Sequence, residues 1–126
     1  MRVMVLGKAS KDTEAGAMPS PQAWEAMERF NEELLKAGIV LAGEGLMPSA
    51  KGVRIRYSGK DRHVMQGPFA ETKEIVAGYS IWDVQSIDEA IDWAKRCPLE
   101  DGAEVEIRPI FSYSEEDVSE ILTSPQ

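Results

Sequence analysis

Apolar and polar positions along the chain change period several times, and each change marks an element. Residues 2–7 are apolar almost throughout, the pattern of a central strand covered on both faces. Residues 8–19 carry no period and several breakers. They read as a loop, either a lid beside the first strand or a plain surface connection. A helix is expected from Ser20, a good cap, with Pro21 suited to the first helical position. Trp24, Met27, Phe30 and Leu34 follow helical steps with Leu35 beside them, which predicts one apolar stripe. Glu25, Glu28, Arg29, Glu32 and Lys36 face away, and Gly38 ends the helix.

Ile39–Ala42 reads as a strand running into Gly43-Glu44-Gly45-Leu46-Met47-Pro48, whose glycines suit a bulge or bend. Those glycines lack a nucleotide-binding spacing and a following helix. Val53, Ile55 and Tyr57 alternate with Arg54, Arg56 and Ser58, the mark of a half-buried strand. Ser58-Gly59-Lys60-Asp61 is turn chemistry, so Arg62–Gln66 returns as a hairpin. Residues 67–74 connect to Ile75–Val84, the longest strand candidate. Ser86 and Glu89 form a capping box for a helix that buries Ile87, Ala90, Ile91, Ala94 and Cys97 and stops at Pro98. Residues 104–111 alternate again, with Val105 and Ile107 on one face. Ser114 caps a short terminal helix whose Val118, Ile121 and Leu122 offer it something to dock, while Glu115, Glu116 and Asp117 suit its dipole.

This order predicts an α+β fold of ferredoxin-like type, a βαββαβ arrangement with an extra hairpin strand and a short C-terminal helix. Residues 1–126 are expected to form one domain. Two helices cover only one face of such a sheet. The first strand and Ile75–Val84 are nonetheless apolar on both faces, which predicts a second sheet from another subunit on the open side. Arg54, Arg56, Glu104, Glu106 and Arg108 are expected to point to that side, at its margins or around a polar cavity.

Composition narrows the partners. Hydrophobic residues make up 43% and charged residues 29%, ordinary values for a packed protein. The net charge of -8 argues against nucleic acid. No run reaches the length of a membrane span, and the first residues lack the form of a signal peptide, so a cytoplasmic location is expected. Cys97 is the lone cysteine, so no internal disulfide and no metal-ligand spacing can be assembled, and neither metal nor cofactor is expected.

The segment Gln66-Gly67-Pro68-Phe69-Ala70-Glu71-Thr72-Lys73-Glu74 resembles the signature of the YCII-related family, also called the DGPF domain. Gly78-Tyr79, Asp83 and Ile87-Asp88-Glu89-Ala90 continue the likeness. Gly43–Pro48 and Val105-Glu106-Ile107-Arg108-Pro109 extend it over roughly residues 1–111, with 112–126 as a C-terminal extension. The resemblance implies a ferredoxin-like domain that pairs as a dimeric α+β barrel, and a biochemical role largely unknown. Some relatives carry a His–Asp pair suggested to be catalytic. Here the single histidine, His63, sits in the predicted hairpin, and Gln66 replaces the signature's leading Asp. An amide keeps a hydrogen bond but cannot act as a base.

The candidate ligand-binding residues are Gln66, Phe69, Glu71, Lys73 and Tyr79, with Phe69 as an apolar wall and the polar groups orienting a small molecule. A purely structural loop, with Phe69 plugging the end of a barrel, is the competing reading. Glu44 and Asp83 lie near strand ends and are the candidate acid/base carboxylates. Tyr79 in a strand and Cys97 on an apolar helix face also suit plain core positions. Three functions fit: a homodimeric small-molecule-binding or regulatory protein, a cofactor-free enzyme using Glu44, Glu71 or Asp83, and an interaction module. The family's association with alternative sigma factors implies the third, with the helix at 114–122 as its docking element.

Overall fold

The computed structural model describes residues 1–123, apart from the side chain of Lys73. The chain runs β1 (Arg2–Lys8), α1 (Lys11–Glu14), α2 (Pro21–Lys36), β2 (Val40–Gly45), β3 (Val53–Ser58), β4 (Asp61–Gln66), β5 (Val76–Asp83), α3 (Ile87–Lys95), β6 (Val105–Pro109) and α4 (Glu115–Thr123). Short 3₁₀ turns at Ser49–Lys51 and Thr72–Glu74 flank the β3–β4 hairpin.

Four strands make one antiparallel sheet in the order β2–β5–β1–β6. With α2 following β1 and α3 following β5, this is the ferredoxin-like arrangement that the alternation predicted. The hairpin β3–β4 stands apart as a two-stranded ribbon.

Strand register decides which side chains meet the helices. Val3, Val5 and Trp82 are buried and pack with Phe30 and Leu34 of α2 and Ala90 of α3. Val105 and Ile107 join that face from β6, opposite Gly7 and Val5. The alternate positions point the other way. Met4 and Leu6 of β1, Tyr79 and Ile81 of β5, Glu44 of β2, and Glu106 and Arg108 of β6 therefore share the second face. Met4, Leu6, Tyr79 and Ile81 are only half-buried there.

The helix ends follow the expected chemistry. Ser20 Oγ accepts from the Ala23 N–H, and Pro21 takes the first helical position. At the other end the Ile39 N–H donates to the Leu34 carbonyl and the Gly38 N–H to the Leu35 carbonyl. That double closure needs the left-handed backbone Gly38 supplies, with φ of 71°. Ser86 caps α3 as expected by accepting from the Glu89 N–H, but the reciprocal half of the expected capping box is displaced, the Glu89 carboxylate accepting from the Gln85 N–H, one residue before the cap.

Several expectations fail, mostly because the stripe on each helix is narrower than its apolar residues suggest. Trp24 and Leu35 are exposed on α2, and the Trp24 indole donates to Glu28 instead of entering the core. On α3 Ile91 stays at the surface, and Trp93 takes its place, its ring 6.5 Å from that of Phe30. The loop at 8–19 contains α1, capped by Ser10 and Thr13 reciprocally. The irregularity in β2 falls between Val40 and Ala42, before the glycines expected to cause it. Val53, Ile55 and Tyr57 are exposed, because β3 pairs with β4 alone and no layer covers the ribbon. Val118, Ile121 and Leu122 of α4 are likewise exposed in the chain.

Candidate functional site

The signature loop is built onto a latch formed by residues far apart in sequence. Ser49 is buried at the start of its 3₁₀ turn. Its hydroxyl accepts from the Phe69 N–H at 3.1 Å and donates to the Glu14 carboxylate. The same carboxylate accepts from the Ser49 N–H at 2.9 Å. These bonds hold Glu14 below the ordinary carboxylate range, the Ser49 hydroxyl being the larger cause and the Ser49 N–H the next. Gly67 lies tight against the same turn, and a Cβ there would fall 1.8 Å from the Ser49 carbonyl oxygen. The Gly67 N–H donates to the Gly52 carbonyl, closing the root of the ribbon. The Gly67–Pro68 peptide is cis.

Phe69 therefore has a defined seat. The Arg54 guanidinium lies 3.7 Å above its ring centre. Arg54 was expected on the open face of the main sheet. It covers Phe69 because β3 lies outside that sheet, and Arg56 goes with the ribbon to pair opposite His63. Gln66 and Glu71 are exposed on either side of the latch, and the Lys73 side chain lies outside the described residues.

The open sheet face carries the other candidates. Tyr79 stands between Leu6 on one side and Glu44 on the other, all three facing away from the helices. Across Leu6 lies Glu106, which accepts from Arg108 at 3.2 Å and pairs with Lys8 at 3.2 Å. The Arg108 bond first and the Lys8 pair second hold the Glu106 carboxyl below its ordinary value. Glu106 is thus a fixed anion between two cations, at the edge of an apolar strip formed by Met4, Leu6, Tyr79 and Ile81.

Not all sequence candidates meet. Glu44 sits opposite Tyr79, whereas Asp83 is four residues further along β5, roughly 13 Å at strand spacing. Asp83 is paired at 3.6 Å with the Met1 ammonium. The two carboxylates thus share a face without sharing a site. Among the described residues, no hydrogen bond, ion pair or ring contact links Phe69 to Tyr79. Sequence reading missed Glu14, Ser49 and Lys8 as site residues, whereas Glu106 and Arg108 lie on the open side as expected. Of the three, Lys8 had a usable signal, as the charged residue that ends a strand apolar from Val3 to Gly7.

A concavity lies on the helix side. It is a hollow of about 170 Å³ between α2 and the sheet, reached by Met27, Asn31, Gly78, Ser80 and Cys97. Burial pushes the Cys97 thiol up, so it is a packing group and a poor nucleophile. Ser80 is engaged by the Trp82 indole and the Ala42 carbonyl.

Comparison with known proteins gives three findings. The YCII-related domain matches residues 1–114, past the expected end at residue 111. An uncharacterised protein of Rhizobium meliloti (strain 1021) is 37% identical over 90 residues, covering 70% of each chain. Among solved structures, 5-chloro-2-hydroxyhydroquinone dehydrochlorinase from Burkholderia phenoliruptrix AC1100, in complex with 2,5-dihydroxybenzoquinone, aligns with a TM-score of 0.45 at 14% identity. That alignment covers 93% of this chain and 99% of the other.

Proposed function

The chain belongs to the YCII-related family, and on that premise we propose that it works as a homodimer with its open sheet faces together. A small-molecule cleft lies beside Tyr79, Glu44 and the Lys8–Glu106–Arg108 cluster. One observation carries this reading: the face bearing Met4, Leu6, Tyr79 and Ile81 is apolar yet only half-buried within one chain. An apolar sheet face of that kind loses its contact with water when a second layer covers it. The charged groups beside it supply the few polar contacts that orient a ligand.

The chemistry favours binding over acid/base catalysis. Glu106 is held ionised by its two cations, and Glu44 and Asp83 are too far apart to share a proton. The signature loop is held as a separate, rigid unit. Gly67, Ser49 and Glu14 fix its backbone and leave Gln66 and Glu71 exposed to solvent.

Native mass spectrometry of freshly purified protein tests the proposal. The expected result is a dimer, and Ile81→Asp is expected to give a folded monomer with unchanged circular dichroism. A co-purified small molecule lost in Tyr79→Phe or Glu44→Gln would place the ligand at this cleft. A wild-type monomer, or an Ile81→Asp protein that stays dimeric, would refute the reading.

A further inference from the structure

Two surfaces of this chain complement each other, and each leaves its apolar residues exposed. The first is the β3–β4 ribbon. Its pairings place Val53, Ile55, Tyr57 and Val64 on one face, and all four are exposed, Tyr57 at 69% and Val64 at 61%. An isolated two-stranded ribbon is marginal in water unless another element packs on it. The ribbon is also basic, with Arg54, Arg56, Lys60 and Arg62 against the single carboxylate Asp61; Arg62 shares the apolar face, beside Tyr57, while Arg54 and Arg56 lie on the other face. The second surface is α4. Val118, Ile121 and Leu122 line one stripe at helical spacing, and all are exposed, Leu122 at 79%. Its charge is opposite: Glu115, Glu116, Asp117 and Glu120, with no cation anywhere from residue 112 to the end. An acidic amphipathic helix and a basic ribbon with an apolar face have the make-up of a helix-in-groove contact.

Within one chain the two leave the sheet at opposite ends. The ribbon is rooted where Gly7, Gly78 and Gly45 align at one end of the sheet, since Leu46 follows directly and the Gly67 N–H closes on Gly52. By contrast, α4 follows Pro109, which aligns with Val3 at the other end. A two-fold axis lying between two sheets and crossing their strands brings opposite ends of the copies together. We propose that α4 of each chain docks on the β3–β4 ribbon of a second copy of this chain. This rests on the homodimer reading and adds to it the two segments that the sheet contact leaves bare. The C-terminal segment is then an interface element, with its acidic residues set against the cation that shares the apolar face with Tyr57, the partner's Arg62.

Cysteine pairing tests it. Ile121→Cys and Ile55→Cys are made separately in a Cys97→Ala background, mixed, allowed to exchange subunits and oxidised. Both positions are exposed, so both variants are expected to fold, which circular dichroism checks. The expected product is a disulfide-linked heterodimer of the two variants, formed several-fold more slowly when Lys60 and Arg62 are changed to Glu. A chain carrying both cysteines that instead closes on itself, running as a monomer on a denaturing non-reducing gel, would overturn the proposal in favour of docking within one chain. A native dimer that gives no cross-link would overturn this inference and leave the sheet-to-sheet reading intact. A native monomer would remove both.

Discussion

A single hydroxyl, Ser49 Oγ, links three separate segments of this protein. It accepts from the Phe69 N–H and donates to Glu14, so α1, the 3₁₀ turn at Ser49–Lys51 and the signature loop share one polar joint. The joint is buried at Ser49, where a lost partner is not replaced readily by water. Ser49→Ala leaves the Phe69 N–H without its acceptor, and we expect a loss of about 1–3 kcal/mol in a urea titration. The same substitution should raise the Glu14 carboxyl toward its ordinary value, read by carbon NMR of the side chain against pH. The sign is fixed by the bonds. A carboxyl lowered on folding stabilises the fold above its unfolded value and loses that contribution as pH falls through the folded one. Wild-type stability should therefore fall on acidification more steeply than that of Ser49→Ala. Equal slopes would mean that the joint does not discriminate the charged form of Glu14.

At the level of elements, the period of apolar residues identified the strands and helices, while their depth depended on what packs against them. The two adjacent leucines of α2 make the point. Leu34 is 1% exposed and packs on Val3, Val5 and Trp82, while Leu35 is 68% exposed. Leu34→Ala should cost about 2–5 kcal/mol through the cavity it opens. Leu35→Ala should stay within about 0.5 kcal/mol, as surface changes do. Chemical denaturation of both variants checks this, and similar losses would mean that α2 is rotated from its described position. The same distinction sets what could be read from sequence. Ser20, Gly38 and Ser86 announce helix ends because caps act within a few residues. The ferredoxin-like order followed from the succession of periods. The Glu14–Ser49 joint spans 35 residues and involves two ordinary polar side chains, so no local pattern betrays it. Arg54 above Phe69 was hidden for another reason. Alternation shows that β3 has two faces, but not that the ribbon leaves the main sheet.

On the scale of the whole molecule, the open sheet face joins an apolar strip to a charged margin. Lys8 and Arg108 flank Glu106 from β1 and β6, the two strands at that side of the sheet. Their attraction exists only while Glu106 is ionised. Its folded carboxyl is lowered by Arg108 and then by Lys8, so the contribution is present above the unfolded carboxyl value and is lost as pH falls through the folded value. Glu106→Gln removes the charge and keeps the shape. We expect the variant to melt below wild type at neutral pH, with the gap closing as the solution is acidified. High salt should narrow the neutral-pH gap, since Glu106 and Arg108 are reached by solvent. Thermal melts of both proteins across the acid range, at low and high salt, measure this directly. A gap that stayed constant with pH would show that Glu106 contributes through packing alone, and the cleft would then lack the fixed anion proposed to orient its ligand.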